Sequence, residues 1–137
     1  MEAGHLGEYK GIACNSRRVC AIRLIRHCYR MLFINVYLPV EDGNVHFDEF
    51  CLQLSLIENL IACHPDDMIV WRGDFNIDFT RLSAHTSLLV EFCVRVDLYA
   101  VDKHAGYDVD YTYQFCMQRF SRLDNFVVCG ALFAFGC

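Results

Sequence analysis

The run Met68-Ile69-Val70-Trp71-Arg72-Gly73-Asp74-Phe75-Asn76-Ile77-Asp78 delivers an acid, an aromatic, an amide and a second acid directly after a short apolar stretch. β-Favouring side chains followed by a glycine read as a buried strand that ends at a polar site. Gly73 lets the backbone leave the strand. Asp74 and Asn76, two apart, then point to one side of an extended segment, with Phe75 turned to the other. A carboxylate and a carboxamide that converge can accept a proton, hold a nucleophilic water, or bind a hard divalent cation directly or through water. The same pair can instead cap backbone N–H groups at a strand-end turn, and the local pattern leaves both roles open.

Two further stretches place polar groups near strand ends. In Met31-Leu32-Phe33-Ile34-Asn35-Val36-Tyr37-Leu38, Asn35 and Tyr37 share a face and Pro39 stops the ladder. The Tyr37 phenol can donate to a phosphate or a leaving group, or it can be a core tyrosine whose hydroxyl finds a backbone partner. Asp124 stands near the start of the apolar run Leu123 to Cys129. A carboxylate buried alone there is costly, so it calls for a cation, a histidine or a metal site.

The remaining elements must hold these groups in place. Residues 1 to 18 read as an irregular lead-in with one short strand. Val19 to Ile25 and Met31 to Leu38 read as a β-hairpin turning at Arg26 to Arg30, its second strand buried. Asn44 can cap a helix whose stripe is Phe47, Phe50, Leu54, Ile57 and Ile61, with Asp48 and Glu49 near its start and His64-Pro65 closing it. A second helix, capped by Ser83 or Thr86, carries Leu89, Phe92, Cys93 and Val96 on one side, with His85 facing solvent. Strands return at Leu98 to Val101, Tyr111 to Phe115 and Leu123 to Cys129.

Composition bounds the class. The 137 residues are 55% hydrophobic, the size and apolarity of one domain with a core. No apolar run approaches the roughly 20 residues needed to span a bilayer, and the N-terminus lacks a signal-peptide pattern, so an intracellular protein with no membrane association is expected. The nine cysteines form no C-x-x-C pair and are expected to be small buried hydrophobes rather than a disulfide frame or zinc site. A net charge of −5 suits tight grip on nucleic acid poorly, since that mode needs a basic face. The apolar end, Gly130 to Cys137, has no polar cap and is expected to be cut or foreign sequence.

Taken together, Asn35-Val36-Tyr37-Leu38-Pro39, Gly73-Asp74-Phe75-Asn76 and Ser121-Arg122-Leu123-Asp124-Asn125-Phe126 resemble, in order and spacing, the endonuclease/exonuclease/phosphatase superfamily. Asn15-Ser16-Arg17-Arg18 and Tyr111-Thr112-Tyr113 look most like the endonuclease domains of non-LTR retrotransposons. The resemblance is strongest over residues 9–129 and implies a single truncated domain over 1–137. It implies an α/β fold, here a partial four-layer α/β/β/α sandwich of mostly antiparallel sheets with outer helices. By the same resemblance, Asp74 and Asn76 orient the attacking water and contact the scissile phosphate, Tyr37 assists at the phosphate, and Asp124 orients a histidine. Asn35, Ser121 and Arg122 are expected to bind substrate, Mg²⁺ to be the cofactor and DNA the partner.

The sequence also departs from that family. Glu2 and Glu8 do not sit in the strand context of the family's metal-binding glutamate, and no histidine follows His104. No metal ligand is therefore assigned with certainty. Members of a cooperating catalytic set lose activity together, so a Mg-dependent phosphodiesterase or DNA endonuclease with little or no activity alone is expected. The alternatives are a non-catalytic interaction module keeping the fold, with a partner chain completing the sheets, and a small-molecule phosphatase of the same superfamily.

Overall fold

The computed structural model describes residues 7–42, 44–77, 81–100, 113–115, 119–121 and 124–131. Strands β1 (Glu8–Ile12), β2 (Val19–Ile25) and β3 (Arg30–Tyr37) form an antiparallel meander. Helix α1 (Phe47–Ala62) carries the chain across to β4 (Met68–Asp74), which pairs parallel with β3; a parallel neighbour demands such a crossover. Helix α2 (Ala84–Arg95) and the short β5 (Leu98–Ala100) follow. Strands β6 (Tyr113–Phe115) and β7 (Arg119–Ser121) pair with each other, and β8 (Asp124–Cys129) inserts antiparallel between β4 and β5. The main sheet therefore runs β1-β2-β3-β4-β8-β5. The mixed α/β architecture is as expected. Strand β7 was not foreseen, and Tyr111, Thr112 and the end of the chain from residue 132 lie outside the described residues.

The main core cluster sits on one face of this sheet, while Leu24, Val70 and Val128 are buried on the other. Along β3, Leu32, Ile34 and Val36 are buried, whereas Phe33, Asn35 and Tyr37 are exposed. The expectation of a buried second strand is thus corrected to a strand buried on one face. The apolar side chains of both helices, among them Phe50, Leu54, Ile57, Leu89 and Phe92, join the same cluster as Leu32, Ile34 and Trp71. Trp71 is fully buried, with its ring centroid 4.6 Å from Phe75 and 5.6 Å from Phe92. Burying one such aromatic contributes on the order of 3 kcal/mol.

The helix stripes hold, with corrections at their ends. In α1, Phe50, Leu54 and Ile57 are buried, and so is Gln53, whose Oε1 accepts from the Ser16 hydroxyl at 2.7 Å. Asn44 is not the cap. Residues 44–46 make a turn of their own, so the N-cap falls on His46 with no side-chain hydrogen bond. In α2, Ser83 is the cap and accepts from the Thr86 N–H at 3.0 Å. That start turns His85 inward rather than to solvent. It is 1% exposed, its ring 5.1 Å from Phe47 and 4.9 Å from Phe50, with Nδ1 3.7 Å from Glu41 Oε1.

Ion pairs fasten the elements at their ends. Arg23 on β2 donates twice to Asp67 ahead of β4, at 2.6 and 2.9 Å, and that hydrogen-bonded carboxylate lifts the guanidinium above its ordinary value. Arg95 joins α2 to Glu58 of α1 in the same bidentate way, at 3.0 and 2.9 Å. Among the described residues seven cysteines are free, but only Cys93 is buried. Cys20, Cys28 and Cys63 are exposed because they fall on the uncovered sheet face, in the β2–β3 turn and just past α1. No described helix is long and apolar enough to cross a membrane.

Candidate active site at the strand ends

Strands β3 and β4 come together at a point only glycine permits. Gly73 has φ +135° and stands beside Val36; a Cβ added there would collide with the Val36 backbone carbonyl. Past the strands, the Leu38 N–H donates to the Asp74 carbonyl at 2.8 Å and extends the pairing by one residue. The backbone then turns sharply. Asn76 adopts φ 50°, the left-handed region that asparagine tolerates, so the extended segment expected through Asn76 ends at Asp74. The Asn76 N–H donates to Asp74 Oδ1 at 2.9 Å, and its Nδ2 donates to the Leu38 carbonyl at 2.7 Å. The turn-capping role left open by the sequence is realised in these bonds. Asn76 is buried, Phe75 is fully buried, and Asp74 is half-buried at the strand end.

The sheet register assembles residues that are far apart in sequence. Tyr37 is the cross-strand partner of Asp74, and Asp74 is the partner of Asp124, so the three form one row across β3, β4 and β8. Tyr37 is 55% exposed. Asn35, Arg72 and Phe126 form the next row, and cross-strand partners share a face of a sheet. Asn35 is therefore placed one step below Tyr37 on the uncovered face. Ser121 lies at the end of β7, in the two-stranded sheet, as the partner of Tyr113. Arg122 lies outside the described residues.

Sequence reasoning missed two residues near this row. The Arg18 guanidinium carbon lies 5.4 Å from the Tyr37 ring centroid, with Nη1 donating to the Tyr37 carbonyl at 3.1 Å and Nε to Glu49 of α1 at 2.7 Å. Its backbone N–H reaches the Ser16 hydroxyl at 3.0 Å, which explains why Asn15-Ser16-Arg17-Arg18 precedes the hairpin: the loop holds the tyrosine. Arg72, exposed on the face that Asp74 shares, is the second. The two-residue period from Asp74 back to Arg72 would have found it, whereas no local signal joins Arg18 to a tyrosine 19 positions away.

Chemically, this end of the sheet presents a carboxylate that accepts from the Asn76 N–H and a phenol beside it, with the backbone of Asp124 in register on β8. Among the described residues there is no group of three or more His, Cys, Asp or Glu that could hold a metal. The donors at the strand end are nevertheless hard oxygens, and Mg²⁺ commonly takes only one or two carboxylates, with water and substrate phosphates completing its shell.

No protein-family profile matches the chain, and no curated relative matches it in sequence. Its fold does match solved structures of the endonuclease/exonuclease/phosphatase superfamily. The endonuclease domain of TRAS1, a telomere-specific non-LTR retrotransposon, aligns with a TM-score of 0.73 at 12% identity, covering 95% of this chain and 59% of that one. The 3′ phosphatase NExo from Neisseria, solved with a product DNA hairpin, gives 0.61 at 16% identity, covering 88% and 55%. An endonuclease/exonuclease/phosphatase family protein from Bacteroides thetaiotaomicron gives 0.55 at 18% identity, covering 82% and 40%. The chain thus spans three fifths or less of the length of these structures, and the likeness is one of fold.

Proposed function

We propose that the chain carries part of a Mg²⁺-dependent phosphodiesterase site, of the DNA endonuclease type found in non-LTR retrotransposons, with little or no activity alone. The observation that supports it most is the Tyr37–Asp74–Asp124 row, gathered from three strands at the turn that Gly73 allows. In this reading Asp74 orients the water that attacks the phosphorus and takes up its proton, the P–O bond to the leaving sugar oxygen breaks as that oxygen takes a proton from solvent, and the Tyr37 hydroxyl donates to a non-bridging phosphate oxygen. Asn76 is a positioning residue, since its side chain is already spent on the Leu38 carbonyl and its N–H on Asp74. Asp124 supplies the second carboxylate. Mg²⁺, when bound at Asp74, adds positive charge against the phosphate oxygens. Ser121 and Arg122 are proposed to contact substrate, as is Asn35 from the next row.

The test is nicking of supercoiled plasmid by the purified chain in Mg²⁺ at low salt, beside Asp74→Ala. Thermal melting with and without Mg²⁺ gives a readout that needs no turnover. A cation held at Asp74 raises the wild-type midpoint and leaves that of Asp74→Ala unmoved. Strong wild-type cleavage lost in the mutant would establish the chemistry and remove the expectation of inactivity. Absence of both cleavage and a Mg²⁺ shift in a folded sample would leave a second reading, a non-catalytic module whose partner chain covers the sheet. The exposed Tyr9, Ile22 and Phe33 on the face without helices favour that one.

A further inference from the structure

Parallel pairing sends the segments that leave β3 and β4 out of the same end of the sheet, each toward the helix that follows. Near the strands they are tied by Leu38, whose N–H reaches the Asp74 carbonyl at 2.8 Å and whose carbonyl accepts from Asn76 Nδ2 at 2.7 Å. Farther out they meet again. Glu41, three residues beyond Leu38, lies with Oε1 3.7 Å from Nδ1 of His85, the second residue of α2. That span is too long for a hydrogen bond, so the contact is electrostatic. The His85 side chain is only 2% exposed, and a charge or N–H dipole facing a carboxylate acts more strongly away from water.

Packing alone does not call for an imidazole here. The ring stands edge-on to Phe47 and tilted on Phe50, both in the first turn of α1, a setting that a phenylalanine would fill. The imidazole brings a penalty that phenylalanine would not: its Nε2 is buried and, among the described residues, has no hydrogen-bond partner. An orphaned buried nitrogen destabilises a fold. What the imidazole adds in return is the reach of Nδ1 to Glu41, its one ionic contact among the described residues.

We infer that His85 is a positioning residue for the strand-end site: with Glu41 it forms an outer clamp that holds the two segments together and keeps the inner bonds among Leu38, Asp74 and Asn76 closed. The inference rests on Asp74 being the group that holds the attacking water, since a carboxylate in that role depends on the supports that fix it. The Asn76 N–H grips Asp74 Oδ1 at 2.9 Å, and the clamp reaches the carboxylate through that bond.

Native-state hydrogen exchange of the full chain, followed by NMR, tests the clamp without turnover or metal. His85→Phe keeps the packing and removes Nδ1. Its melting midpoint is expected to hold or rise, while the Leu38 and Asn76 N–H groups exchange about tenfold faster relative to Ile34 and Trp71, partners in the middle of the β3–β4 ladder. His85→Asn is the converse, keeping an N–H near the place of Nδ1 and losing the ring. It is expected to lower the midpoint while the ratio of Leu38 and Asn76 exchange to ladder exchange stays near that of the wild type. Glu41→Ala, at an exposed position, is expected to speed the same two amides as His85→Phe does, and it carries the test should His85→Phe fail to fold. A histidine that only fills space would give no such split. Leu38 and Asn76 exchange that stays as in wild type, or that rises only in step with the ladder, in His85→Phe and Glu41→Ala overturns the inference. If the split appears while nicking and the Mg²⁺ shift fail, the clamp stands and the chemistry proposed for Asp74 falls.

Discussion

The two faces of the central sheet are built from the same strands and behave as different materials. On the helix side, Leu32, Ile34, Trp71 and Val127 are wholly buried against α1 and α2. On the other side, one residue along each strand, Phe33, Asn35, Tyr37 and Arg72 meet solvent. The contrast separates stability from function. Close packing on the first face fixes the register, and the register then lines up Tyr37, Asp74 and Asp124 at its end with no dedicated binding energy.

The largest difference between the faces should appear in denaturation. Trp71→Ala is expected to cost about 4 kcal/mol, enough to unfold most of a marginal domain, whereas Phe33→Ala on the same sheet should cost about 1 kcal/mol or less. Urea midpoints of the two variants check this, and equal losses would mean that the open face is covered in solution. A smaller contrast lies between two glycines. Gly73→Ala must push against the Val36 carbonyl at φ +135° and is expected to cost about 2 kcal/mol. Gly11→Ala, with open space around it, should be neutral or stabilise by roughly 0.5 kcal/mol. Matching thermal shifts for the pair would show that β3 and β4 do not approach as closely as the register requires.

The smallest effect is one of pH. The Tyr99 hydroxyl donates to Asp97 Oδ1 at 2.8 Å, and this hydrogen bond, with the nearby negative charge, raises the phenol above its ordinary value of 10.0. A raised folded-state value means that the stabilisation is complete below the ordinary tyrosine range and is lost as pH rises through the Tyr99 value. Ultraviolet titration should show Tyr99 ionising late, and Asp97→Ala should lower its midpoint. An unchanged titration in that variant would show that the contact does not form in solution.

Charge shows where reading along the chain misleads. Residues 9 to 40 hold six Lys and Arg and no Asp or Glu, against a chain total of −5. As a string this is a basic arm suited to phosphate. In space it is not one, because Glu49 from α1 meets Arg18 and Asp67 from the loop before β4 meets Arg23. Arg72, outside that stretch, is exposed on the other face and makes no ion pair among the described residues. His85 makes the same point: a polar residue at a helix start reads as exposed, and the packing of α2 against Phe47 and Phe50 buries it.

Local forces settled what the sequence alone could settle. Runs of apolar, β-favouring residues drew β2, β3 and β4, spacings of three and four drew the stripes of α1 and α2, Ser83 marked a helix start, and Gly73 lay one residue short of the end of β4. Each of these rests on interactions within a few residues, so each is written in a short window of sequence. The tertiary structure decided which strands are neighbours, which face the helices cover, and hence that Tyr37, Asp74 and Asp124 share a row while Arg18 braces the tyrosine. Those outcomes depend on contacts between residues tens of positions apart. Pairing β3 with β4 in parallel and inserting β8 beside them is a choice among whole-chain packings, and no short window contains it.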